Sequence, residues 1–333
     1  MNGIRNMEDD TWRGKRVFVT GSDGFMGSHL VERIARLGAV VTAFTRGTST
    51  HGTSQLSLKN LPTTAAVERV IAGNVANPET TRIIEDAKPD IILHLAAEAY
   101  VQRSFDHPAE VFAVNATGTL YVLEAARRLP KLQRLVITSS SEVYGSVVRN
   151  DAINEDHPLN PTSPYAASKV AADRLSYSYI ATYGIPISVI RPFNFYGPRH
   201  TYDVIPKFIR LALQGEDLTV YGTGLQRRDF TYVEDMARAF LLMASHPAAV
   251  GQIVNFGSGR SYAIRDIAER IISLTGSNSR IVHDKTRLAE VDHLICDARK
   301  AFDLFGWLAG TSLEEGLRQN IEWEKGRAEM MAP

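Results

Sequence analysis

Val17-Phe-Val-Thr-Gly-Ser-Asp-Gly-Phe-Met-Gly-Ser-His-Leu30 decides the reading of this chain. The apolar and β-branched residues at 17–19 predict a buried strand, Gly21, Gly24 and Gly27 a tight turn, and the amphipathic run that follows a helix. In that order Gly21 permits the turn, Gly24 lets the backbone approach a pyrophosphate, and Gly27 lets helix and strand pack closely. Phosphates would lie over the helix N-terminus, with Asp23, Phe25 and Met26 completing the turn. A strand-to-helix turn without a ligand is the competing reading.

Working outward, apolar runs at 40–44, 67–72, 91–95, 135–139 and 187–191 predict further strands, and stretches 28–37, 78–87, 115–128 and 165–183 predict crossover helices. This alternation implies an α/β fold, a Rossmann-type doubly wound parallel sheet whose ligands gather at one edge. A smaller, interleaved C-terminal substrate lobe completes it. The expected boundaries are 13–196 plus about 226–260 for the dinucleotide-binding domain, about 197–225 plus 261–330 for the second lobe, and a flexible 1–12.

Composition sets limits. The 333 residues carry 37 basic and 37 acidic side chains, a formal net charge of zero, so no charge excess draws the chain to nucleic acid or an anionic membrane. The lone Cys296 excludes an internal disulfide framework, and no ligand cluster has metal-site spacing. His94 reads as a packed or hydrogen-bonded residue at a strand end. The polar, acidic 1–12 lacks the apolar core of a secretion signal, and no run reaches the ~18 apolar residues of a membrane span, which predicts a cytoplasmic protein.

The chemistry comes from Ser163-Pro-Tyr-Ala-Ala-Ser-Lys169, where Pro opens a helix and Tyr165 and Lys169, four apart, share one face. A nearby ammonium favours phenolate, so Tyr165 can take a proton from a sugar hydroxyl as hydride leaves for a nicotinamide. Taken alone, the spacing also describes an exposed pair on a surface helix.

With Arg191-Pro-Phe-Asn-Phe-Tyr-Gly-Pro198, these two motifs resemble the extended short-chain dehydrogenase/reductase family, whose members rework nucleotide-activated sugars, over about residues 14–323. The resemblance implies a bound NAD(P), a nucleotide-diphosphate-sugar substrate and a homodimer formed through helices at 111–126 and 165–183. The cofactor contacts it implies are Gly21, Asp23, Gly24, Phe25, Met26, Gly27, Asn74, Val75, Leu95, Ala96, Ala97, Tyr165 and Lys169. Where an acid normally binds the ribose 2′-hydroxyl, Thr45-Arg46 stands, and Arg46 favours NADP modestly, since arginine accepts a 2′-phosphate. Arg46 pointing into water or stacked on adenine is the alternative.

Thr138-Ser-Ser-Ser-Glu-Val-Tyr-Gly145 resembles the segment that carries the acid-base set in sugar 4,6-dehydratases. On that alignment Ser140 replaces the threonine that bonds the sugar 4-oxygen, Ser141 replaces an aspartic acid, and Glu142 keeps the glutamate that removes the C5 proton. Leu95-Ala-Ala-Glu-Ala-Tyr-Val-Gln-Arg-Ser104 resembles the dehydratase run that places Glu98, Tyr100 and Arg103 near the sugar. Asn194, Arg228 and Arg287 match positions that contact the diphosphate. Asn115 is expected to cap a helix or brace backbone. The resemblance ranks a nucleotide-sugar 4,6-dehydratase first, then a 4-epimerase, then a uronate decarboxylase. A dinucleotide-binding redox or regulatory sensor is the non-enzymatic alternative.

Overall fold

The computed structural model describes residues 11–46, 60–61, 67–145, 147, 151–285, 288 and 290–330. Its strands are β1 Arg16–Thr20, β2 Val40–Thr45, β3 Val67–Ala72, β4 Ile91–His94, β5 Arg134–Thr138, β6 Ile187–Pro192, β7 Phe195–Tyr196, β8 Leu218–Tyr221, β9 Arg227–Asp229, β10 Thr231–Tyr232, β11 Ile253–Phe256, β12 Ser261–Ala263, β13 Ile281–Asp284 and β14 His293–Leu294. Seven of them form the central sheet in the order β11-β6-β5-β4-β1-β2-β3. From β6 to β3 every neighbouring pair is parallel, for example Val19 beside Ala43 on one side and Leu93 on the other. This is a Rossmann-like α/β sheet.

The order reverses between β1 and β4, where successive crossovers leave opposite faces and open a crevice at the strand C-termini. Strands β4 and β6 are buried at every position, as expected of strands covered on both faces. Phe18, Phe44, Ile92, Leu135, Ile137 and Val189 meet in the core with Val122 and Leu123 of the helix Gly118–Arg127.

The sequence expectations need several corrections. β11 was not anticipated, because Ile253–Phe256 is too short to stand out as an apolar run. The first crossover helix begins at Phe25, directly after the glycine turn. The expected helix at 115–128 is the end of a longer helical stretch, interrupted by a π-helical turn at Ala113–Thr117. Asn115 therefore lies inside a helix and caps none. Trp12 is 1% exposed, so it packs in the fold and does not belong to a flexible end; residues 1–10 lie outside the described ones.

Two compact units divide the chain: 1–143 with 163–191 and 237–254, and 144–162 with 192–236 and 255–333. These boundaries differ from the expected ones at 144–162, 192–196, 226–236 and 255–260. Hydrogen bonding explains the first difference. Tyr144 Oη donates to Asn255 Oδ1 at 2.7 Å, the Asn255 amide donates to Glu155 Oε1 at 2.7 Å, and Ile153 bridges to Cys296. Arg227–Asp229 pairs with β12 and β14, and Thr231–Tyr232 with β7, so neither joins the large sheet. In the second unit the buried Asp229 carboxylate accepts from the amides of Ser258, Gly259 and Cys296, fastening two segments to one point.

Candidate active site

The glycine turn is shaped by close approach. A Cβ on Gly27 would lie 2.1 Å from the carbonyl oxygen of Gly21, and one on Gly24 3.0 Å from the same atom. Gly21 has φ +67°, and its Cβ would sit 2.8 Å from the amide nitrogen of Ala96. The turn thus presses against the backbone after β4, on the other side of the switch point. The helix Phe25–Arg36 starts at Gly24 without a side-chain cap or an acid in its first turn, while Arg33 and Arg36 occupy its last. A helix N-terminus presents its first amides and the positive end of its dipole to an anion. The residues fit a dinucleotide pyrophosphate. Asp23 Oδ1 accepts from the amides of Asn60 and Leu61, both at 2.8 Å, so its carboxylate holds protein backbone. Asn74 Oδ1 accepts from the Ala76 amide at 3.0 Å, and Val75 packs on Gly118.

Thr20, at the end of β1, begins a buried chain of hydrogen bonds. Its Oγ1 accepts from the amides of Leu95 and Ala96, both at 3.1 Å, and lies 2.8 Å from His94 Nδ1. His94 Nε2 lies 3.0 Å from Thr119 Oγ1, which donates to the Asn115 carbonyl at 2.6 Å. Because Thr119 spends its proton on Asn115, the imidazole carries its own on Nε2 and accepts from Thr20 at Nδ1. Burial, and then the charge of Lys169, push the His94 pKa down to about 3, which keeps it neutral. The side chain of Asn115 accepts from the Glu98 amide at 2.8 Å, donates to its carbonyl at 3.1 Å, and donates to Ser168 Oγ at 2.9 Å. Ser168 passes the chain to the Tyr165 carbonyl at 2.6 Å. The strand ends behind Leu95, Ala96 and Ala97 and the tyrosine helix are therefore one bonded assembly.

Tyr165 and Lys169 lie on the helix Pro164–Tyr183, capped by Ser163, whose Oγ accepts from the Ala166 amide at 3.1 Å, and ended by Gly184 in left-handed conformation. Both side chains are buried. Lys169 Nζ donates to the Thr138 carbonyl at 2.8 Å, and burial pushes its pKa down to about 8 against the opposing charge of Asp173. Asp173 was not picked out in the sequence, although it lies one further helical turn along the same face. Its carboxylate accepts from Arg191 Nε at 2.8 Å and Nη2 at 2.9 Å and from Ser139 Oγ at 2.8 Å. Burial pushes the Asp173 carboxyl up, but the hydrogen bonds and charges of Arg191 and then of the adjacent Arg174, which also donates to Asp173 Oδ1, together hold the pKa below its ordinary value.

The Ser-Ser-Ser-Glu segment leaves β5 between these two anchors. Ser140 Oγ accepts from the Glu142 amide at 3.2 Å and opens the 3-10 turn Ser141–Tyr144. Ser140 and Ser141 are buried and Glu142 is partly exposed. Tyr165, Lys169 and this segment are thus held together by the Lys169–Thr138 and Asp173–Ser139 bonds.

The expected sugar-side residues are placed less simply. Glu98 Oε2 lies 3.6 Å from both Arg46 Nη1 and Arg103 Nε, and Arg103 also bonds Glu110 at 2.8 Å. Tyr100 is 44% exposed. In the second unit Asn194 Oδ1 is buried with no hydrogen-bond partner among the described residues. Arg228 donates to Glu290 Oε1 at 2.7 Å and to the Val291 carbonyl. Arg287 lies outside the described residues, as does the whole Thr/Ser/Gly-rich run at 47–57.

The sequence pattern of the NAD dependent epimerase/dehydratase family matches residues 17–257, from β1 through β11. The chain belongs to this family. Among its relatives, a dTDP-glucose 4,6-dehydratase of Neisseria meningitidis serogroup B is 33% identical over 93% of this chain and 93% of its own length. A UDP-glucose 4-epimerase of Mycolicibacterium smegmatis is 32% identical over 94% of this chain and all of its own length. The solved dTDP-glucose 4,6-dehydratase of Bacillus anthracis, in complex with NAD, superposes with a TM-score of 0.83 at 28% identity, covering 95% of this chain and 98% of that one. The chain spans about half, 48%, of two Arabidopsis thaliana proteins named as trifunctional, with UDP-glucose 4,6-dehydratase first among their activities. The family is named for NAD dependent epimerases and dehydratases, and the relatives that match along their whole length include a nucleotide-sugar dehydratase and a nucleotide-sugar epimerase. No helix among the described residues is long and apolar enough to cross a membrane.

Proposed function

We propose that this chain is a nucleotide-diphosphate-sugar 4,6-dehydratase, converting a hexose to its 4-keto-6-deoxy form. The observation that carries the reading is Glu142, on a segment anchored to the Tyr165 helix by the 2.8 Å bond from Lys169 to Thr138. A 4-epimerase has no need of a carboxylate there, because it breaks no bond at C5 or C6.

In this mechanism Tyr165 takes the proton of the sugar 4-hydroxyl, with the Lys169 charge favouring its phenolate. Ser140 orients the 4-oxygen. When bound, the nicotinamide supplies the acceptor for hydride from C4 and the donor that returns it to C6. The carbonyl formed at C4 acidifies C5, and Glu142 takes the C5 proton. With serine at 141 in place of an acid, Glu142 passes that proton to the C6 hydroxyl, which leaves as water. C5 regains a proton from solvent through the same carboxylate, so the balance is loss of one water. Asn194 and Arg228 hold the diphosphate, with Arg287 as a further cation. The exposed Phe112, Tyr177 and Tyr183, at 48%, 54% and 53%, support pairing of two copies through their helices.

The test is incubation of the purified chain with a panel of nucleotide hexoses in deuterated water, followed by mass spectrometry and NMR. Loss of water with deuterium at C5 is expected and names the sugar. Unchanged mass with inversion at C4 makes the chain an epimerase, and carbon dioxide from a uronate a decarboxylase. Dinucleotide binding with no turnover of any sugar favours the sensor.

A further inference from the structure

Glu98 and Arg46 follow different strands, β4 and β2, and β1 runs between them. Neighbouring strands lie about 4.8 Å apart, so a contact between these two residues bridges about 10 Å across the C-terminal end of β1. That end is the glycine turn. The 3.6 Å approach of Glu98 Oε2 to Arg46 Nη1 therefore spans the crevice in which the dinucleotide is expected to lie.

The carboxylate is the fixed member of the pair. Asn115 holds both backbone polar groups of Glu98, and the side chain is 14% exposed against 45% for Arg46. Arg103 also approaches Glu98, but it has its own carboxylate, Glu110, at 2.8 Å. The four charges alternate along Arg46, Glu98, Arg103 and Glu110, leaving Glu98 to balance Arg46.

We infer that Glu98 is a cofactor-discriminating residue. By neutralising Arg46 and presenting negative charge beside it, Glu98 selects the dinucleotide with a free ribose 2′-hydroxyl over the one with a 2′-phosphate. A lone arginine after β2 recruits a 2′-phosphate; an arginine already balanced by a carboxylate gains little from one, and the carboxylate repels the added charge. Glu98 thus acts on the cofactor, away from the sugar contact its motif suggested, and Arg46 ceases to argue for NADP. This inference rests on the dinucleotide site of the proposed function.

The experiment is titration calorimetry of the full chain, freed of nucleotide, with NAD and with NADP at low ionic strength, for the parent, Glu98→Gln, and Glu98→Gln combined with Arg46→Ala. Glu98→Gln leaves the backbone bonds to Asn115 in place. The parent is expected to bind NAD more tightly than NADP. Glu98→Gln should tighten NADP roughly tenfold while leaving NAD within about twofold, and adding Arg46→Ala should remove that gain. A parent that prefers NADP, or a Glu98→Gln variant in which both affinities move together or neither moves, overturns the inference and leaves the dehydratase reading intact. Binding of neither nucleotide by the parent overturns both.

Discussion

Lys169 donates a 2.8 Å hydrogen bond from its buried Nζ to the carbonyl oxygen of Thr138, the last residue of β5. That bond joins the helix of the proposed proton acceptor, Tyr165, to the segment that carries Glu142. It also fixes the ammonium in surroundings that push its pKa down to about 8 from 10.5.

The depressed lysine pKa has a signed consequence for stability. Between about pH 8 and 10.5 the unfolded chain holds a proton on Lys169 that the folded chain has lost, so this group's contribution to stability rises with pH across that window. Relative to Lys169→Met, the parent should gain about 3 kcal/mol between pH 7.5 and 10.5, read from urea unfolding at each pH. A difference between the two proteins that stays constant with pH would place the lysine pKa near its ordinary value.

Tyr165→Phe removes one oxygen from a buried ring and should leave the fold and dinucleotide binding unchanged. Loss of the group that takes the 4-hydroxyl proton should lower kcat by about 100-fold or more. Undiminished turnover in a correctly folded variant would end the assignment of Tyr165 as the proton acceptor.

Glu142→Gln preserves shape and removes the base. Oxidation at C4 should continue, seen as reduced nicotinamide absorbance in a single turnover, while deuterium exchange at C5 stops. A variant that still dehydrates at the parent rate would show that some other group takes the C5 proton.

Arg191→Met leaves the Asp173 carboxylate buried without its bidentate partner. The expected cost is about 3 to 5 kcal/mol of folding stability, measured by chemical denaturation. Combining it with Asp173→Leu should recover much of the loss, because an apolar pair of similar volume does not strand a charge. A double variant no more stable than the single one would mean that Ser139 and Arg174 depend on Asp173 more than the charge balance does.

Much of the fold was legible in local sequence. The glycine spacing located the β1 turn and its helix, because Gly21 and Gly27 stand where a Cβ would strike backbone. Apolar runs located six of the seven sheet strands. β11 escaped because four residues carry too little periodicity, and its membership of the sheet depends on a partner more than 60 residues away, β6. The π-helical turn around Asn115 escaped because its extra residue is stabilised by bonds to Glu98 and Ser168, 17 and 53 residues distant.

By itself the sequence determined the parallel Rossmann sheet, the family, and the helix that carries Tyr165 and Lys169 one turn apart. Those features depend on residues near one another in the chain, where backbone geometry and side-chain spacing are sufficient causes. Only the tertiary structure decided the partners of the charges: Glu98 beside Arg46, Arg228 with Glu290, Asp173 with Arg191, and the Asp23 carboxylate turned to the backbone of Asn60 and Leu61. A charged side chain is free to pair with any opposite charge that folding brings within reach. Its motif names the residue, while the sheet order and the burial around it choose the neighbour and so the chemistry left to it.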